Sequence, residues 1–153
     1  MKNKLDDLDL KILRLMQLDA RMPLKQVAAI LNKAVATICT RIKKMEKMGV
    51  IRGSRLQLDL SALGIEAIGC IYLSVDRQSG KTKKLLASEL NKIKGVVSCT
   101  SITGQASIKV EIAVKNMKSF NHVRDTIASI PNVTVLNGDM EVEVIIPDKG
   151  LDF

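Results

Sequence analysis

The chain of 153 residues has no tryptophan, one tyrosine (Tyr72), two phenylalanines (Phe120 and Phe153) and one histidine (His122). Side chains that move protons near neutral pH are therefore scarce, and acid–base catalysis has little to work with. No paired nucleophile and base, no glycine-rich phosphate loop and no metal-ligand spacing occurs in it. No catalytic residue, metal or cofactor is expected. Cysteine is limited to Cys39, Cys70 and Cys99, an odd number at wide spacing. That argues against a disulfide framework or a zinc site and predicts reduced, mostly buried thiols. No apolar run approaches the ~18 residues of a membrane span. The opening "MKNKLDDLDLK" lacks the apolar stretch that directs export. The expected location is the cytoplasm, with no membrane partner.

Acidic residues are missing from one region. Between residues 20 and 58 lie nine of the 24 cations but only one of the 16 anions, Glu46. The cations and anions elsewhere balance, so the whole net charge of +8 belongs to a quarter of the molecule. Such a concentration marks either a polyanion-binding face or an ordinary solvated surface, and charge alone does not separate the two.

Periodicity narrows the choice. Leu5, Leu8, Ile12 and Leu15 in "LDDLDLKILRLMQL" recur at helical spacing. Asp6 suits the N-cap, and Asp7 and Asp9 suit the positive end of the helix dipole. After "DARMP", Pro23 fits the first turn of a second helix that buries Val27, Ile30 and Leu31, with Asn32 as a turn residue. A third helix runs through "AVATICTRIKKMEKM" and stops at Gly49. At 100° per residue, Val35, Ile38, Ile42 and Met45 share its apolar face. Thr37, Thr40, Lys44 and Lys47 lie roughly opposite, Lys33 joins them, and Arg41 sits at the border. Beyond Gly49, Val50–Ile51 and Leu56–Leu58 flank Gly53 and Ser54, which predicts a hairpin with Arg52 and Arg55 at its tip. Three short helices and a basic hairpin form a winged helix-turn-helix, whose last helix enters the DNA major groove. A helical protein-binding module with a basic rim is the competing reading.

A different pattern follows the linker at 61–64. From residue 65 the order is strand, helix, strand, strand, helix, strand. "IEAIGCIYLSV" is the first strand, and "GKTKKLLASELNKI" the first helix, with Leu85, Leu86 and Leu90 toward a core. "GVVSCTSITG" and "QASIKVEIAV" are strands joined near Gly104, the second alternating at Ile108, Val110, Ile112 and Val114. "SFNHVRDTIASI" and "NVTVLNGDMEVEVIIP" complete the set. This βαββαβ order is the ferredoxin-like split fold. The class is α+β: a winged helix-turn-helix over 1–60 and a ferredoxin-like dimerisation domain over 65–153. Helices cover one sheet face only, so a second copy covering the other is the simplest completion.

The chain resembles the Lrp/AsnC (leucine-responsive regulatory protein) family over nearly its whole length. Leu5, Asp6, Asp9, Ile12, Leu13, Leu15 and Arg21 match the family opening, and "VAAIL" its second helix. Thr37, Arg41, Ile42, Gly49, Val50 and Ile51 match its recognition helix and the start of the wing. "LG" at 63–64 and "TG" at 103–104 match markers of the effector domain. The resemblance implies a sequence-specific regulator of transcription that binds double-stranded DNA as a homodimer, or as a tetramer or octamer built from it. It also implies a small-molecule effector site that includes Thr103 and Gly104. Two departures stand out. Ala34 occupies the usual serine cap of the recognition helix, and "TGQAS" has no acidic residue where amino-acid sensors carry one to pair with a ligand ammonium.

On this reading Lys33, Lys44, Lys47, Arg52 and Arg55 contact phosphates, while Thr37, Thr40 and Arg41 reach base edges. Each lysine has a solvated surface residue as its alternative, and Arg41 has an ion pair with Glu46 or with acids of the first helix. His122 on an amphipathic helix reads as structural or surface, and Met45 and Met48 as packing residues. A tetrapyrrole (sirohaem) decarboxylase relative would need more histidine and tyrosine than one of each. A partner-binding paralogue without DNA binding is the third reading.

Overall fold

The computed structural model describes residues 5–75 and 80–153. Residues 1–4, expected in the first domain, lie outside them. The chain divides into two units, Met1–Gln57 with Ile146–Phe153, and Leu58–Ile145. The last eight residues, expected with the second domain, group with the first.

The first unit contains α1 (Asp7–Leu18), α2 (Leu24–Ile30) and α3 (Val35–Lys47). Asp6 caps α1 by accepting from the Asp9 amide at 3.0 Å, and Asp9 returns the bond to the Asp6 amide at 3.2 Å. This reciprocal box satisfies two amides that a helix start leaves unpaired. Pro23 stands just ahead of α2 without a side-chain cap, and Ala34 does the same for α3. Gly49, at φ 72°, ends α3 with its amide on Glu46 O, while the Val50 amide returns to Met45 O, both at 2.9 Å. A left-handed residue at that position favours glycine, and the paired bonds satisfy carbonyls of the last turn.

Ile12, Val27, Ala28, Ile38, Ile42 and Met45 form the core of this unit. Ile30 and Val35, expected inside, are 54% and 41% exposed. Both lie near helix ends, where a three-helix unit this small cannot enclose every apolar position. The expected hairpin is absent: residues 51–59 form no strand, and Leu56 and Leu58 are exposed. An isolated two-stranded ribbon is marginal in water, and here neither leucine finds a surface to pack on.

The second unit begins with a 3-10 turn at Ser61–Leu63, anchored by Asp59, which accepts from the Ser61 and Ala62 amides. It continues with β1 (Ala67–Val75), α4 (Gly80–Leu90), β2 (Val96–Ser101), β3 (Ile108–Val114), α5 (Met117–Ala128) and β4 (Val133–Met140). The strands form one antiparallel sheet in the order β2-β3-β1-β4. This is the ferredoxin-like arrangement. Alternation decides which side each residue takes. Ile71, Leu73, Ile108, Val110 and Ile112 face α4 and α5, where Leu86, Leu90, Phe120, Val123 and Ile127 meet them. Leu85, expected in this core, is 51% exposed. Gly69 is required by close approach: a Cβ there would lie 2.2 Å from Asp139 O on β4.

The opposite sheet face carries Ile68, Cys70, Tyr72 and Ser74 beside Lys109, Glu111 and Ala113, all half-buried. No helix among the described residues of this unit covers it. Glu111 accepts from Lys109 at 2.7 Å, which with Ser98 holds its carboxyl below the usual range. The three cysteines are free, but Cys99 is exposed and none is fully buried. Cys99 stands on β2, an edge strand that the helices shelter least.

Candidate nucleic-acid interface

The polar flank of α3 exists because the apolar one is anchored. Ile38, Ile42 and Met45 are at most 8% exposed against α1 and α2. Their spacing turns Thr40, Lys44 and Lys47 to solvent, with Thr37 half-exposed beside them. Lys33 is exposed just before the helix, and Arg52 and Arg55 just after it. None of Lys33, Lys47, Arg52 or Arg55 forms an ion pair among the described residues. Thr40 Oγ1 donates to Ala36 O one turn back at 2.9 Å. Lys44 lies at the inner edge, its Nζ 3.8 Å from Asp9 Oδ2.

Arg41 departs from its expected place at a base edge. Its Nη1 donates to Asp9 Oδ1 at 3.2 Å and to Asp6. Asp9 has no exposed surface. A buried carboxylate is costly unless it is paired and hydrogen-bonded, so the guanidinium is drawn to α1 and away from the outer flank. The carboxyl of Asp6 is held below its ordinary range, first by the Asp9 amide and then by Arg41, while Arg41 is pushed up by both acids. The sequence offered the ion pair with first-helix acids only as Arg41's alternative. Asp9 as the buried centre of that pair was missed. The D-x-x-D spacing at Asp6 and Asp9, facing an arginine on an amphipathic helix, is the signal for it.

In the second unit, Thr103 and Gly104 sit exposed at the tip of the β2–β3 connection, which the Ile102 amide closes onto Ser107 O at 3.0 Å. Gln105 is exposed and Ala106 half-buried there, so this tip presents no charge of its own. No group of potential metal ligands occurs among the described residues, and no helix there is long and apolar enough to cross a membrane.

Comparison with known proteins fits both units. Residues 5–52 match a family model described as winged helix-turn-helix DNA-binding, and residues 69–148 one described as the Lrp/AsnC ligand binding domain. The HTH-type transcriptional regulator FL11 of Pyrococcus horikoshii is 35% identical over 133 residues, 87% of this chain and 86% of that protein. The regulatory protein AsnC of Haemophilus influenzae is 28% identical over 124 residues, 81% of each chain. The fold is also that of a Neisseria meningitidis transcriptional regulator solved in complex with L-methionine, at TM-score 0.88, 23% identity and 97% coverage of both chains. These similarities and the helix-turn-helix define a DNA-binding regulator of transcription. The chain belongs to the Lrp/AsnC family.

Proposed function

We propose that the protein binds its DNA sites as a homodimer, or a tetramer or octamer built from it. Each protomer lays the outer flank of α3 in a major groove. Lys33, Lys44, Lys47, Arg52 and Arg55 meet phosphates, and Thr37 and Thr40 face base edges. Arg41 is a positioning residue that fixes α3 against α1. The observation that carries this reading is the exposed polar flank of a helix whose other side is packed, with Lys47 on it and Lys33, Arg52 and Arg55 beside it forming no ion pair among the described residues. Phosphate contacts provide affinity and register, and the hydroxyls add the sequence-dependent part.

The half-buried sheet face of the second unit supports the dimer, because a face of such mixed character is completed by a copy of itself. Two α3 helices related by a twofold would address half-sites ~34 Å apart on a pseudo-palindrome. Such a protein works in the cytoplasm, where its DNA is. Thr103 and Gly104 remain the candidate effector contacts, and the L-methionine bound to relatives supports a small-molecule effector for this domain.

Gel shifts on genomic fragments test the reading. A dimer that neutralises about 6–10 phosphates loses ~10³–10⁵ in affinity between 50 and 200 mM salt. Salt-independent binding, or none at low salt, sinks it. A footprint over a single asymmetric half-site sinks the dimeric part alone.

A further inference from the structure

The second unit carries a trough far from the Thr103–Gly104 tip. It begins where β3 ends at Val114, and β3 spans the ~20 Å between the two places. One part, a cavity of about 490 Å³, is lined by Lys94, Lys115, Lys118 and His122 over a floor of Val114 and Val123. The three lysines form no ion pair among the described residues, and no acid lines this part. The adjoining part, about 800 Å³, shares Lys94, His122 and Val123 and continues between α4 and α5. Its walls include Leu85, Ile93, Ile130 and Pro131. Its one carboxylate, Glu89, is taken by Lys92 at 2.6 Å.

A cationic mouth opening onto an apolar furrow is the complement of an amphiphilic anion. Leu85, which the core does not bury, then has an occupant to cover it. An amino acid fits poorly, because an α-ammonium would lie among lysines with no free carboxylate.

We propose that this trough binds a small organic acid without an amino group. Its anionic head, carboxylate or phosphate, sits at Lys94, Lys115, Lys118 and His122, and its apolar chain runs toward Ile93 and Ile130. The proposal rests on the reading of residues 69–148 as a ligand-binding domain and places a ligand at a second location on it.

His122 is the only histidine, so its ring Hε1 proton gives the one NMR signal of its type, a reporter inside the trough. That signal is followed at fixed pH in the full chain during titration with hexanoate, hexyl phosphate, hexan-1-ol, inorganic phosphate and L-methionine. Hexanoate or hexyl phosphate is expected to shift it saturably, the tighter of the two identifying the head. The alcohol, phosphate and L-methionine are expected to bind at least about tenfold more weakly. The K94Q/K118Q variant should weaken binding about five- to thirty-fold, as loss of two partly exposed ion pairs does. No saturable shift, equal binding of any of the last three compounds, or undiminished binding to K94Q/K118Q overturns the proposal. DNA affinity in the same preparations is the separate measure. A chain that binds DNA normally and shows no shift loses only the trough.

Discussion

Arg41 of α3 donates to the buried carboxylate of Asp9 of α1 across 3.2 Å, and the same nitrogen reaches Asp6. The helix proposed to face DNA is thus locked to the helix behind it by charge as well as by apolar packing. Asp9 has no exposed surface, so its compensation comes from Arg41, the Asp6 amide and, at 3.8 Å, Lys44. Breaking a buried pair from one side costs several kcal/mol because it leaves the other group uncompensated. Asp9→Ala should destabilise the first unit by about 3 kcal/mol, read from urea unfolding. Arg41→Met strands the carboxylate and should be more damaging than Asp9→Asn, which keeps an acceptor and removes the charge. Equal urea midpoints for Asp9→Ala and the parent chain would show the pair to be idle.

Salt dependence separates a phosphate contact from a positioning residue. In the proposed dimer each protomer sets one Lys47 against a phosphate, so Lys47→Gln should remove two phosphate contacts per dimer. The slope of log K against log salt should then fall by about 1.8. Arg41→Lys keeps a cation but replaces the flat guanidinium, whose Nη1 reaches both acids, with an ammonium of different shape and reach. It should weaken binding through disorder of α3 and leave the slope unchanged. Gel shifts at several salt concentrations read both, and a slope change with Arg41→Lys equal to that of Lys47→Gln would return Arg41 to the DNA side.

Most of the architecture was legible because period and charge agree with it. The 3.6 repeat at Ile38, Ile42 and Met45 and the twofold alternation at Ile108, Val110, Ile112 and Val114 each name the face that is buried. Asp6 and Gly49 mark helix ends by local chemistry alone. What escaped depends on long-range partners. The wing at 50–58 has turn residues in the right order, but a ribbon needs a surface to pack on, and no local signal reports its lack. Leu85 and Leu86 are neighbours of the same type, and only the packing of α4 on the sheet decides which is buried. The Asp9–Arg41 pair joins positions 32 residues apart. The pairing of Gln17 with the chain's last residues, 134 apart, has no sequence signature at all.

Acid should loosen the same joint. Asp6 in the folded chain titrates below its ordinary value because the Asp9 amide and Arg41 favour its charged form. The unfolded chain therefore takes up the proton first as pH falls, and stability declines with it. The contribution of Asp6 is complete above the unfolded carboxylate range of about 4 and disappears below its folded value. Asp6→Asn should accordingly be less stable than the parent at neutral pH, with the gap closing under acid. Urea midpoints for the two chains from neutral pH downward check this. A gap that stayed constant would mean that the carboxylate charge adds nothing.

Gln17 holds the chain's last residues against α1 at both ends of its amide. Its Nε2 donates to Leu151 O at 3.0 Å, and its Oε1 accepts from the Leu151 amide at 2.8 Å. Arg14 adds a bond from its Nε to Phe153 O at 2.7 Å and lies 5.8 Å over the Phe153 ring. Gly150 sits at φ 77°, in the left-handed region that favours glycine, and a Cβ there would meet Gln17 Oε1 at 2.9 Å and displace it. The Gln17 amide reproduces with a side chain the pairing that a neighbouring strand would give, and it fixes the segment that starts at Ile146 to the DNA-binding unit. Gln17→Ala removes two exposed hydrogen bonds, together ~1 kcal/mol, so the open population of the segment should rise about fivefold. Lys149 lies within it, and tryptic cleavage after that residue should accelerate by the same factor when opening is fast relative to cutting. Gln17→Glu keeps the acceptor for the Leu151 amide and loses the donor, so its rate should fall between the two. Cleavage at the parent rate in Gln17→Ala would show that the segment is held by Arg14 and Phe153 alone.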